Sequence, residues 1–387
     1  MFPQFNIYST PLLILVVQGL VFALLLLKRY ISNRNISDLF LAMILIIICY
    51  HRTSYTIGFM GWYDTYRTTK INYWLISLTL AIGPVIYFYI RSVTSKFKFR
   101  SQDFIHFLPV TIYVVFMIII FVYDSFQPGF SNTQNGVLMG NLVFLYVNPI
   151  VAVVERLQIT IYLAFSIQLY VVFRKQVRQY FSNAYSLELN WISAFLFIYA
   201  FLFIFDLFQS TIDSFIIELS WKQNWWYHFL SAVAVIFIGT KGYFTDTLRL
   251  QEMEIEFSTK SSSHKNQEDE KILKGKKDLE KIMEEQNPYL EPNLNLSDLS
   301  DLLGMSSSEL SELINTGFGV NFNDYVNAYR IKAFKEYIKE GKYQQLSLVG
   351  IALDSGFNSK ATFNRAFRKQ VGVSPSEYLE SQKNKAS

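Results

Sequence analysis

Up to about residue 245 the chain repeats apolar runs of membrane length, and beyond it they stop. A helix needs about 20 mainly apolar residues to cross a hydrocarbon core of roughly 30 Å. Seven stretches qualify, near residues 8–27, 39–60, 73–90, 104–123, 149–173, 190–210 and 224–244. Residues 137–154 are also apolar and would form an extra or re-entrant segment in an alternative reading. The expected fold class is all-α: a seven-helix transmembrane bundle over 1–244, a connector over 245–269, and a cytoplasmic all-α domain over 270–381 with a tail at 382–387.

Charge sets the orientation. The connections after runs one, three and five carry Lys28, Arg29, Arg34, Arg91, Lys96, Lys98, Arg100, Arg174, Lys175 and Arg178, whereas the opposite side carries only Arg67, Lys70 and Lys222. The basic side is cytoplasmic by the positive-inside rule, which puts the N-terminus outside and everything after residue 244 inside. This predicts a multi-pass membrane protein with its C-terminal domain cytoplasmic. The 51% hydrophobic and 17% charged composition agrees with a chain partly solvated by lipid. MFPQFNIYST has no basic n-region, so the first run is expected to stay as an anchor. Trp62, Trp74, Trp225 and Trp226 fall at run ends, where an interfacial aromatic belt would place them. Cys49 has no partner cysteine and reads as an apolar filler.

Polar residues inside the runs cost free energy unless paired or wetted. His51, Arg52, Glu155, Arg156, Asp206 and His228 all fall in the outer third of their runs, on the order of 6 to 15 Å below the outer surface at 1.5 Å per residue. They fit ion pairs that hold the bundle together, such as Arg52 with Asp206 or Arg156 with Glu155. They also fit a polar cavity for a small solute, or a route for protons or ions. Gly83-Pro84 marks a bend.

After residue 245 the chain turns polar. STKSSSHKNQEDE, residues 258–270, has linker composition and holds the lone His264. In the next segment Ile272, Leu279, Ile282 and Met283 share a helical stripe that Pro288 ends. Two copies of one pattern then follow about 52 residues apart, over about 296–320 and 347–373. The first reads LSDLSDLLGMSSSELSELINTGFGV and the second LVGIALDSGFNSKATFNRAFRKQVGV. Each is a helix-turn-helix by its residues: Ser300 or Ala352 where the helices close, Gly304 or Gly356 in the turn, and Leu310, Leu313 and Ile314, or Phe363 and Phe367, packing the second helix. Between them, residues 323–339 form a rod with helical spacing at Tyr325, Tyr329, Ala333 and Tyr337.

These motifs, above all IALDSGFNSKATFNRAFRKQVGVSPSEY and the rod from Tyr325 to Arg330, closely resemble the C-terminal DNA-binding domain of the AraC/XylS regulators, over less than a third of the chain. The resemblance implies two recognition helices entering successive major-groove segments. By motif position the base-facing residues would be Lys360, Ala361, Asn364 and Arg365, with Arg368 on the same DNA-binding helix, and Ser307, Ser308, Ser311 and Glu312 in the first copy. The chain departs from the pattern between Pro288 and Asp324, which holds six acids and no lysine or arginine, while Tyr325 to Ser387 carries a net charge of +6. Phosphate neutralisation supplies much of DNA affinity, so the second copy and the rod are expected to dominate binding. Glu312 then either accepts from a cytosine amino group, or the first copy is structural or meets a protein.

The reading that follows is a membrane-anchored one-component transcription regulator, not an enzyme and without a cofactor. Its expected partners are double-stranded DNA, the lipid bilayer, an unidentified small-molecule ligand, a second copy of the chain and RNA polymerase. The alternative is a transporter or membrane enzyme with a regulatory tail. The scattered histidines, with no HxxxH spacing, offer no metal site. Release of the tail by cleavage within 258–270 is a further possibility.

Overall fold

The computed structural model describes residues 2–95, 97–182, 190–245 and 268–386. Among them every element is helical apart from an isolated bridge between Phe181 and Asn295. The chain divides into two compact units, Met1–Tyr170 with Asn190–Met253, and Val171–Leu189 with Glu254–Ser387.

The first unit holds α1 (Ser9–Asn33), α2 (Ile36–Phe59), α3 (Thr79–Thr94), α4 (Leu108–Ser125), the greater part of α5 (Asn148–Tyr180), α6 (Asn190–Phe215) and α7 (Trp221–Phe244). Among the described residues five helical stretches are long and apolar enough to cross a membrane: Ser9–Asn33, Ile36–Phe59, Ser101–Ser125, Met139–Tyr180 and Asn190–Phe215. The other two expected spans are helices of a different kind. The third starts six residues later than its apolar run, because Lys70–Tyr73 turns as a 3-10 helix, and α3 keeps only 16 residues. In α7 the length suffices, but Lys222, Gln223, Asn224, His228 and Lys241 dilute its apolar character. The segment suspected of being an extra span is neither separate nor re-entrant. Met139–Val147 forms a π-helix that runs straight into α5.

The helix α2 is central, with 56% of its apolar window buried within the chain against 17% for α6, whose flanks remain apolar and outward. Leu12, Phe59, Trp225 and Ala232 close one end of the α1, α2 and α7 packing. Trp225 is therefore interior and donates to the Tyr8 carbonyl at 2.9 Å, whereas Trp74 and Trp226 are exposed as a belt requires. At the other end Arg29 holds the buried Asp38 through Nε at 2.7 Å and also donates to the carbonyls of Gly242 and Tyr243. A residue read only as a topogenic charge thus ties three helices. A Cβ on Gly19 would lie 2.5 Å from both Cys49 Sγ and Val235 Cγ1, so Cys49 fills space at a close approach of these helices. We expect Gly19→Val to cost about 1–3 kcal/mol through overpacking. The check is the thermal midpoint of the solubilised chain, against Gly140→Ala, where a Cβ meets nothing within 4 Å.

The second unit is built on one spine. The helix α8 (Glu268–Glu285) and the pair α9 (Leu296–Leu303) and α10 (Ser307–Gly317) share a core with the first half of α11 (Phe322–Lys339) through Leu279, Met283, Leu299, Leu310, Phe322 and Val326. The second half of α11 packs with α12 (Leu348–Asp354) and α13 (Lys360–Val371) through Ile331, Phe334, Ile338, Phe363 and Phe367. The rod's buried stripe is therefore shifted from the expected tyrosines. Tyr325 is buried, but Tyr329, Ala333 and Tyr337 are only partly covered, because α11 must feed two cores on different sides. A last helix, α14 (Pro375–Ala386), covers most of what looked like a tail. Residues 246–267, including nearly all of the expected connector and His264, lie outside the described residues.

Candidate functional site

Both repeats close in the way their spacing requires. Gly304 and Gly356 take φ of +64° and +90°, a left-handed turn that favours glycine, and the second helix starts three residues later in the first copy and four in the second. Ser300 and Ala352 are both buried where the helices close. Ser306 accepts from Glu309 N at 3.3 Å and Ser359 from Thr362 N at 3.2 Å, so each recognition helix has a hydroxyl cap.

The two outward faces differ. On α13, Thr362, Phe363 and Phe367 point into the core, leaving Lys360, Ala361, Asn364, Arg365 and Arg368 exposed on the other side. On α10, Ser308 and Glu312 are exposed, whereas Ser307 is partly buried with its Oγ 3.1 Å from Ser300 Oγ, and Ser311 takes the Asn315 amide at its carbonyl, 2.8 Å away. Two of the four first-copy candidates are thus engaged in local packing.

Three of the six acids in the block between Pro288 and Asp324 have a local cause that the sequence held in plain view. Asn295-x-x-Asp298, Ser306-x-x-Glu309 and Asn321-x-x-Asp324 each open a helix. In the first two, the acid receives the cap residue's own N–H at 3.1 Å. In the third, Asp324 N donates to Asn321 Oδ1 at 2.9 Å. Acids in a first turn also suit the helix dipole. Asp324 additionally holds Lys369 Nζ at 2.7 Å.

Between the two halves lies Arg330, 1% exposed and far below the surface. Its Nε donates to the Tyr289 carbonyl at 2.7 Å, and its Nη2 to the Glu291 carbonyl at 2.7 Å and to Ser182 Oγ at 3.1 Å. Desolvation lowers its pKa to about 10, partly offset by the Glu291 carboxylate, so the guanidinium is still charged at neutral pH. Ser182 itself donates to the Leu294 carbonyl from N at 3.2 Å and from Oγ at 2.5 Å, and Asn323 Nδ2 reaches the Ser182 carbonyl at 2.5 Å. Residues 181–182, which follow α5, are therefore part of the second unit. No periodicity in the sequence announces this.

Residues 299–381 match a helix-turn-helix domain family model. They form a helix-turn-helix domain of the AraC type. Uncharacterised HTH-type transcriptional regulators of Staphylococcus aureus strains COL and MSSA476 are each 33% identical over 90 residues, 23% of this chain and 12% of theirs. The virulence regulon transcriptional activator VirF of Yersinia enterocolitica is 31% identical over 99 residues, 26% of this chain and 34% of VirF. The chain thus spans about an eighth of the staphylococcal relatives and a third of VirF. No solved structure matches the chain significantly.

In the first unit the six polar residues singled out from the sequence line one cavity of about 370 Å³. The structure does not pair them as expected: among the described residues no ion pair joins Arg52 to Asp206 or Arg156 to Glu155. Each charge instead meets a neutral group or none. Arg52 Nη1 contacts His228 Nδ1, and its guanidinium lies 4.8 Å from the Tyr227 ring. Arg156 donates to Ser210 Oγ at 2.6 Å, and Glu155 accepts from Thr79 Oγ1 at 2.7 Å. His51 Nε2 accepts from Leu78 N at 3.1 Å. Asp206 has no hydrogen-bond partner among the described residues, and Arg52 Nε and Tyr199 Oη are buried without one. The remaining wall combines apolar side chains such as Ile44, Ile86, Ile159 and Phe195 with the hydroxyl-bearing Tyr55, Ser77, Tyr227 and Ser231.

Proposed function

We propose that the chain is a membrane-anchored one-component transcription regulator. On this reading residues 1–244 cross the inner membrane with the N-terminus outside, 245–269 connect, and 270–381 bind promoter DNA from the cytoplasmic side. The observation that carries it is the presence, on one chain, of an AraC-type helix-turn-helix domain and of several helices long and apolar enough to span a bilayer. The base-reading residues are Lys360, Ala361, Asn364 and Arg365, with Arg368 on the same helix contacting DNA and the exposed Ser308 facing the first half-site. Arginine and asparagine have the bidentate donors that major-groove edges require.

The cavity supports a sensing role. Unpaired buried polar atoms cost free energy, and a solute with complementary groups would satisfy Arg52 Nε and Tyr199 Oη, with the partly buried Asp206 on the same wall. Such a ligand biases the bundle only if it binds one of two states better. Genome-wide mapping of sites bound by the tagged full-length chain tests the regulator reading. Discrete loci that vanish in Arg365→Ala are expected; a uniform background for both chains would refute it.

A further inference from the structure

A second cleft, of about 290 Å³, lies within the second unit and involves a residue that no helix-turn-helix motif supplies. Its wall holds Arg365 and Lys369 from α13, Asn323 and Asn327 from α11, and Arg178 from the last turn of α5. Asp324 is the acid on that wall, and it holds Lys369 at 2.7 Å.

Arg178 is delivered there by a built joint. Three residues after it the chain leaves the helix, Phe181 is buried and bridges Asn295, and Ser182 is fully buried against Leu294 and Arg330. Asn323, itself buried, binds the carbonyls of both Phe181 and Ser182, at 3.3 and 2.5 Å. Withdrawing the segment would leave Asn323 Nδ2 and the Ser182 polar groups without these partners, which buried polar atoms resist. Arg174 and Lys175 stand one turn earlier, beside Asn321 and Gly319, along a neighbouring cleft. Of these cations Arg178 alone also lines the cleft of the recognition helix that carries Arg365.

We propose that Arg178, together with Lys369, forms a seat for a DNA backbone phosphate beside the base-reading Arg365 of α13. The proposal rests on the DNA-reading role of that helix. Its chemistry is that of phosphate contacts elsewhere: guanidinium and ammonium donors around an anion, with amide and hydroxyl groups of Asn327 and Thr362 on the wall. Phosphate contacts fix register without reading sequence, and they normally bracket the base-reading side chains. Here one of them comes from the helix that also carries Glu155 and Arg156, so DNA affinity would depend on how that helix is held.

The test uses the full-length chain in nanodiscs of zwitterionic lipid, so that contact with anionic headgroups cannot account for the result. The probes are a duplex selected by the wild-type chain from a random pool and a scrambled duplex of the same length. Arg178→Gln should weaken both by roughly threefold to tenfold at about 150 mM salt, and make the slope of log affinity against log salt shallower by about one. Arg178→Lys should keep the slope, which separates lost charge from lost packing. Arg365→Ala tests the underlying reading: if selected and scrambled duplexes still differ as for wild type, that reading fails. If Arg365→Ala removes the preference but Arg178→Gln matches wild type or binds more tightly, the seat is overturned, tighter binding marking a segment that obstructs DNA.

Discussion

Arg330→Met should destabilise the helix-turn-helix unit by about 3 kcal/mol. Three acceptors, the Tyr289 and Glu291 carbonyls and Ser182 Oγ, lose their donor beside a side chain that is almost fully buried, and each stranded buried group costs about 1–3 kcal/mol. Relief of the buried charge offsets part of the sum, since desolvation already opposes the guanidinium. Lysine would not rescue it, because a single ammonium cannot reach acceptors placed for a planar fork. Gly356→Ala should act on the same joint from the other side: its Cβ would sit 2.2 Å from the Tyr289 carbonyl oxygen at a φ of +90°. Hydrogen exchange across residues 288–294 and 351–371 of the full-length chain is the check. Amide protection should fall by roughly a hundredfold for about 3 kcal/mol of lost stability. Wild-type protection in Arg330→Met would mean that the guanidinium is not holding the two halves together.

Arg365→Ala should remove most of the preference for selected over scrambled duplex, roughly fivefold to a hundredfold, the range for losing one bidentate base contact. The first copy should respond in the opposite direction. Glu312 is exposed on α10, and a carboxylate near phosphates repels, so Glu312→Gln should leave affinity unchanged or tighten it on every sequence. A loss of discrimination at one base pair in Glu312→Gln would instead assign that carboxylate a cytosine contact. Anisotropy titrations of both variants on the two duplexes read these outcomes.

How much of this was legible before the structure depends on the distance between cause and effect along the chain. The two repeats were readable because their cores, turns and trailing Gly-Val recur at fixed spacing, and the structure buries Leu310, Ile314, Phe363 and Phe367 as that spacing requires. The acidic block looked like a departure from a DNA-binding surface. Its cap spacing, an asparagine or serine three residues before Asp298, Glu309 and Asp324, gave a local signal for half of the acids that charge counting alone passed over. Arg330 could not have been read in the same way. Its partners are 39, 41 and 148 residues away in sequence, and two of them are backbone carbonyls that carry no residue signature. The same holds for Phe181 and Ser182, whose neighbours follow from tertiary packing alone. In the first unit, hydropathy located the apolar runs but not the starts of helices, so the 3-10 turn at Lys70–Tyr73 shortened the third. The polar residues of the outer third did come together around one cavity. Depth along each helix was enough to suggest a common level, although the partners they chose were neutral groups.

The central claim is that a DNA-reading domain is held on the cytoplasmic face of a membrane. A pair of reporters fused after Ser387 tests it most directly: a fluorescent protein that matures only in the cytoplasm, and a phosphatase active only in the periplasm. We expect fluorescence that sediments with inner membranes and no phosphatase activity. Phosphatase activity, or fluorescence that stays in the soluble fraction of intact full-length chain, would contradict the account.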